Sequence, residues 1–145
     1  MFDIFKKDKS GHIKDDNLYI NIGALLIHVA KIDENYSEQE KNIIKKTLLE
    51  LKLSNQDLDS IFKKSEELEK NSNQILEFTK EIKNKDEKFK IQIVEALWKI
   101  IYADNVSDMY EASLMRRLTG LLYLDTKIVG DIKNKIINSS NKWHI

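Results

Sequence analysis

Cysteine and proline are absent from all 145 residues, glycine occurs four times, and arginine occurs only at Arg116 and Arg117. Without cysteine there is no disulfide, no zinc–thiolate centre and no thiol nucleophile. Without proline, and with few glycines, the chain has almost no helix breakers, which favours helices over a turn-rich β fold. Neither sign of charge is in excess, with 24 basic and 24 acidic residues, so no nucleic-acid partner is expected. The longest apolar run, Gly23 to Ile27, stops at His28 and is far short of the ~20 residues that span a bilayer. No transmembrane segment is expected. The opening MFDIFKKDK lacks the apolar stretch of a secretory signal, so a cytoplasmic location is expected. Phe2, Ile4 and Phe5 beside Lys6, Lys7 and Lys9 leave two readings: docking on the domain's own core, or a weak membrane-surface tip. The first is preferred, because one short turn buries little area.

What is present is helical periodicity. Ile22, Leu25, Leu26 and Val29 follow i, i+3, i+4, i+7 and predict a helix over roughly 16–32. Ser37-x-x-Glu40 has the spacing of a capping box and opens a stripe of Ile43, Ile44, Thr47, Leu48 and Leu51. A third helix starts near Ser54 and carries Leu58, Ile61 and Phe62. Residues 63–85 are rich in lysine and glutamate and read as one or two further exposed helices, broken near Asn71-Ser72-Asn73. Three more helices follow: about 86–103, about 109–122, and one starting after Asp125. The tail from Asn138 is polar and expected to fray.

The chain repeats itself. Sliding it along itself by one constant offset sets Leu26 on Leu97, Asp33 on Asp104, Glu40 on Glu111, Leu51 on Leu122 and Ile61 on Ile132. The reading is an all-α fold of seven to eight helices in one domain over 1–145. Its three-helix halves cover about 16–62 and 86–136, with a helical insert at 63–85.

The matched acids are the candidate site. Asp33 and Asp104 fall at the C-terminal ends of apolar stripes, where the helix dipole opposes a negative charge. Glu40 and Glu111 open the next stripes. Capping explains the glutamates, since Ser37-x-x-Glu40 and Asp108-x-x-Glu111 share the spacing. The alternative is a divalent cation. If the two corners face each other, carboxylates about 4 Å apart repel by roughly 4 kcal/mol per pair at an effective dielectric near 20. All-oxygen ligation would then select calcium, magnesium or manganese over zinc. Asp33-x-Asn35-x-Ser37 is not an EF-hand loop, because its sixth and twelfth positions are Glu38 and Ile44 rather than glycine and glutamate. His12, His28 and His144 lack metal-ligand spacing. There is no phosphate loop and no nucleophile motif, and no enzyme is expected.

AKIDENYSEQE and YADNVSDMYE, each leading into a helix, resemble the signature A-x-A-D-G-x-x-x-x-x-E of the TerB family of tellurite-resistance proteins. The resemblance covers roughly 16–136. Asp33, Glu40, Asp104 and Glu111 stand at the signature's acidic positions, whereas Glu34 and Asn105 replace its glycine. It implies an all-helical, non-catalytic domain of the type that also heads a membrane-anchored DnaJ-type co-chaperone. It further implies a role in stress or metal-ion response, with partner proteins at the inner membrane. The preferred reading is a cytoplasmic, non-enzymatic TerB-like domain that binds a divalent cation at Asp33, Glu40, Asp104 and Glu111 and acts through partner proteins; the rival is a purely structural interaction module whose acids only cap helices.

Overall fold

The computed structural model describes residues 2–32, 36–51, 55–72, 74–103 and 109–142, with side chains from residue 16 onward except 55–56, 109–111 and 140–142. These residues form seven α-helices and no strand: α1 (Phe2–Ala30), α2 (Glu38–Glu50), α3 (Asn55–Asn71), α4 (Ile75–Thr79), α5 (Glu87–Ile101), α6 (Met109–Leu121) and α7 (Thr126–Lys142). A 3-10 turn, Ile82–Asn84, links α4 to α5.

The helix bounds repeat with the offset of the matched acids. α1 ends at Ala30 and α5 at Ile101; α2 spans Glu38–Glu50 and α6 Met109–Leu121; α3 spans Asn55–Asn71 and α7 Thr126–Lys142. Pairing recurs as well: α1 packs on α3 as α5 packs on α7. α1 and α5 lie against each other, and α2 touches both.

Periodicity placed the ends of α5 and α6 within two residues. It missed the reach of three helices. α1 runs back to Phe2 rather than starting near 16, passing through Gly11; the Phe2, Ile4 and Phe5 side chains lie outside those described. α3 continues through the charged stretch 63–71 before the break at Asn71. α7 runs on to Lys142, so the polar tail to that point is helical; Trp143 lies outside the described residues. The stretch after α3 is also less exposed than its composition suggests. Ile75 and Phe78 share one face of α4 at i, i+3, and they and Ile82 of the 3-10 turn are buried against the core, while Leu76 is 59% exposed.

The centre is the C-terminal half of α1. Every residue from Ile22 to Ile27 is buried, as befits a helix enclosed on all sides by α2, α3, α4 and α5. Gly23 makes this possible. A Cβ there would stand 2.7 Å from Ser65 Cβ and closer still to its Oγ. Ser65 tolerates full burial because its hydroxyl donates to Ile61 O at 2.8 Å.

α6 ends in a Schellman motif. Leu124 N–H donates to Thr119 O at 3.0 Å and Tyr123 N–H to Gly120 O at 3.2 Å. The left-handed position, usually glycine, is Tyr123 at φ 57°.

These contacts set the signs of three glycine exchanges. Gly23→Ala should destabilise by about 1–3 kcal/mol through overpacking, although alanine favours a helix interior by roughly 1 kcal/mol. Gly130→Ala, where an added Cβ meets nothing within 4 Å, should show only that gain. Tyr123→Gly should stabilise by about 1 kcal/mol through relief of the left-handed backbone. Urea unfolding midpoints check all three.

Candidate functional site

Three of the four signature acids leave little to describe. Asp33 and Asp104 lie outside the described residues, as do Asp108 and the Glu111 side chain. The backbone places Glu40 and Glu111 alike, each third in its helix. The two corners therefore share a register, and only Glu40 can be followed to its atoms.

Glu40 is 1% exposed. Ser37 precedes α2 in an extended conformation, φ −86° and ψ 169°, as an N-cap requires. Its hydroxyl accepts from Glu40 N–H at 3.4 Å, while Glu40 Oε1 accepts from Ser37 N–H at 3.1 Å and lies 3.0 Å from Ser37 Oγ. This is the reciprocal capping box that the spacing predicts. Among the described residues no three His, Cys, Asp or Glu side chains gather as metal ligands.

Beside this corner stands a polar cluster that the sequence reading passed over. Glu69 of α3 is buried, and its carboxylate receives Lys31 Nζ at 2.8 Å and faces His28 Nδ1 at 3.3 Å. Tyr36 donates its hydroxyl to Glu66 at 3.1 Å, and the ammonium groups of Lys31 and Lys41 lie 5.7 and 4.9 Å from its ring centre. Burial, then the charge of Glu66, pushes the Tyr36 phenol well above its ordinary range, so it stays a donor. The signal was present. Leu58, Ile61, Phe62, Ser65 and Glu69 continue one helical stripe, which puts the last two inside.

A second pair of missed residues performs the same task in each half. Tyr19 donates its hydroxyl to Leu51 O at 2.5 Å, and Lys90 donates to Leu122 O at 2.8 Å. The offset that carries Leu51 onto Leu122 also carries Tyr19 onto Lys90. Leu51 and Leu122 follow the last residues of α2 and α6, where helix carbonyls lack partners within the helix. Lys90 is 7% exposed, and its ammonium also reaches Lys83 O at 3.3 Å.

Three hydrophilic residues thus have distinct structural costs. Ser37→Ala should destabilise by about 1 kcal/mol, and Tyr19→Phe by roughly 1 kcal/mol for one neutral hydrogen bond. Lys90→Met, which keeps the stem but orphans a buried carbonyl, should cost about 1–3 kcal/mol. Thermal and urea unfolding of the three variants gives the ranking, and a neutral Lys90→Met would show that Leu122 O finds another donor.

The comparisons with known proteins bear on the whole arrangement. The family described as Tellurite resistance protein TerB matches residues 19–134, which is most of the chain and includes both acidic corners. No curated protein and no solved structure matches. With that match over paired helices whose bounds repeat, the chain belongs to the TerB family.

Proposed function

We propose that this TerB domain is a non-catalytic module that works by engaging partner proteins. In this reading 1–145 is one domain of two halves, and the insert between them is reduced to α4 and the 3-10 turn. The observation that carries it is the capping box. The one signature acid whose atoms are described has a structural task, and Glu40 needs no chemistry to account for it. Buried hydroxyls point the same way. Thr47, Ser65, Thr79 and Thr119 each donate to a backbone carbonyl of their own helix, an arrangement that satisfies the buried hydroxyl and activates no nucleophile. Among the described residues no helix is long and apolar enough to cross a membrane. The family's name points to tellurite resistance; the reading adds a cytoplasmic site of action, at the inner membrane through partner proteins.

A divalent cation at the corners is the second reading. The chemistry of the donor set favours it: Asp33, Glu40, Asp104 and Glu111 would supply only hard carboxylate oxygens, which suit calcium, magnesium or manganese. Bound there, a cation would offset like charges and tie the halves together.

Two measurements test these readings. Photocross-linking groups placed in the chain's own cell at exposed positions on different helices should yield discrete protein adducts; none from any face would overturn the module reading. For the cation, chelator-treated protein should melt higher with one of calcium, magnesium, manganese or zinc. A cation at 100 times its dissociation constant stabilises by about 2.7 kcal/mol, and Asp104→Asn should abolish that rise. Equal melting with every cation at millimolar levels would remove the cation from the account.

A further inference from the structure

The two grooves between second and third helices are built differently. In the first half Phe62 of α3 is buried, and Lys45 of α2 lies over its ring at 4.9 Å. At the equivalent positions of the second half, Lys133 replaces Phe62 and Arg116 replaces Lys45. Between α6 and α7 lies a notch of about 230 Å³. Gly130 helps to keep it open, since a Cβ there would meet nothing within 4 Å.

The notch has a preformed apolar floor and a cationic rim. Trp98 is pinned by its indole N–H, which donates to Val129 O at 3.1 Å, and Met115 and Val129 complete the floor. Arg116 and Lys133 line the rim, and among the described residues no carboxylate lines the notch. Lys133 lies 5.4 Å from the Trp98 ring centre. Arg116 and Arg117 are the chain's only arginines among 24 basic residues. Both are exposed, and neither pairs with a carboxylate among the described residues. A guanidinium grips a carboxylate with two parallel donors, which an ammonium cannot do.

We propose that this notch docks an acidic segment of a partner protein, one apolar side chain seated on Trp98, Met115 and Val129 and its flanking carboxylates held by Arg116 and Lys133. The proposal rests on the module reading and names the face and the partner's chemistry. Charge complementarity requires the acids. The apolar floor selects a peptide over bare phosphate, and the volume, below the roughly 300–1,000 Å³ of most small-molecule sites, suits a single side chain.

The test uses the full chain with Trp143→Phe, which leaves Trp98 as the sole tryptophan reporter. The probe is the blocked peptide Glu-Glu-Leu-Phe-Glu-Glu. Saturable change in Trp98 emission is expected, with affinity at least about tenfold weaker for Arg116→Glu. Binding should vanish for Gly130→Leu, which fills the notch and favours the helix. Peptides with Ser-Ser for Leu-Phe, or with lysines for the glutamates, should not bind. Absence of saturation at millimolar peptide, or equal binding by Gly130→Leu, overturns the proposal. So does preferential binding to phosphatidylserine vesicles, or a dimer lost in the same variants. Cross-linking groups at Ala112, in the notch, and at Lys46 and Glu67, away from it, separate the two levels. Adducts only from Lys46 or Glu67 overturn the notch and leave the module reading standing, whereas none from any position overturns both.

Discussion

The approach of α1 to α3 at Gly23 is the constraint on which most of the structure depends. With no side chain at that position, Ser65 sits against the α1 backbone, and the two helices are fixed in register. Further along both helices the next contact, His28 with Glu69, follows in the same direction, so α1 and α3 run parallel with α2 returning between them. The register brings a buried glutamate to Lys31 and His28. A carboxylate so placed would be costly without such partners. The polar cluster beside the first corner is therefore a consequence of packing further back along the same two helices.

The halves share needs rather than residues. Leu51 and Leu122 each present a helix-end carbonyl, and the donor is a phenol in one half and an ammonium in the other. Helix bounds recur at a fixed offset while the interiors differ. Turn positions and carbonyl satisfaction therefore constrain the chain more tightly than side-chain identity does. The Schellman turn after α6 makes the same point. Its hydrogen bonds require a left-handed residue, and the chain meets that requirement with Tyr123 in place of glycine.

This division explains what could be read from the sequence. Apolar spacing and capping signals are local, so the ends of α5 and α6, the break at Asn71 and the Ser37–Glu40 box were legible. Burial of polar residues depends on what packs opposite, which is not local. Lys90 and Glu69 each lie on an apolar stripe, but the partner that makes burial tolerable lies on another, distant stretch of the chain. Residues 2–15 interleave apolar and charged side chains around Gly11, so their helix leaves little periodic trace. At the corners, sequence spacing predicted the cap and the third-residue placement of Glu40 and Glu111. Whether Asp33 and Asp104 approach one another is a matter of tertiary geometry that no spacing contains.

The difference between the halves has a physical consequence for their corners. At the end of α1, Lys31 ties down Glu69; at the end of α5, the equivalent residue is Tyr102, which stacks on Trp98 with ring centres 5.9 Å apart. Among the described residues the end of α1 thus carries an ion pair and the end of α5 an aromatic stack. An aromatic pair depends on geometry and is indifferent to ionic strength. The ion pair responds to charge in its surroundings, damped only in part because Glu69 is shielded from water. Any charge that arrives beside the first corner, whether from a partner or an ion, acts on Lys31, Tyr36 and Glu69 together, and through Glu69 on the α1–α3 register. The same charge beside the end of α5 meets the Trp98–Tyr102 stack, whose described charged neighbour is Lys133, 5.4 Å from the Trp98 ring centre. The same helices in the same order thus carry a buried ion pair at the end of α1 and, at the equivalent position after α5, an aromatic stack.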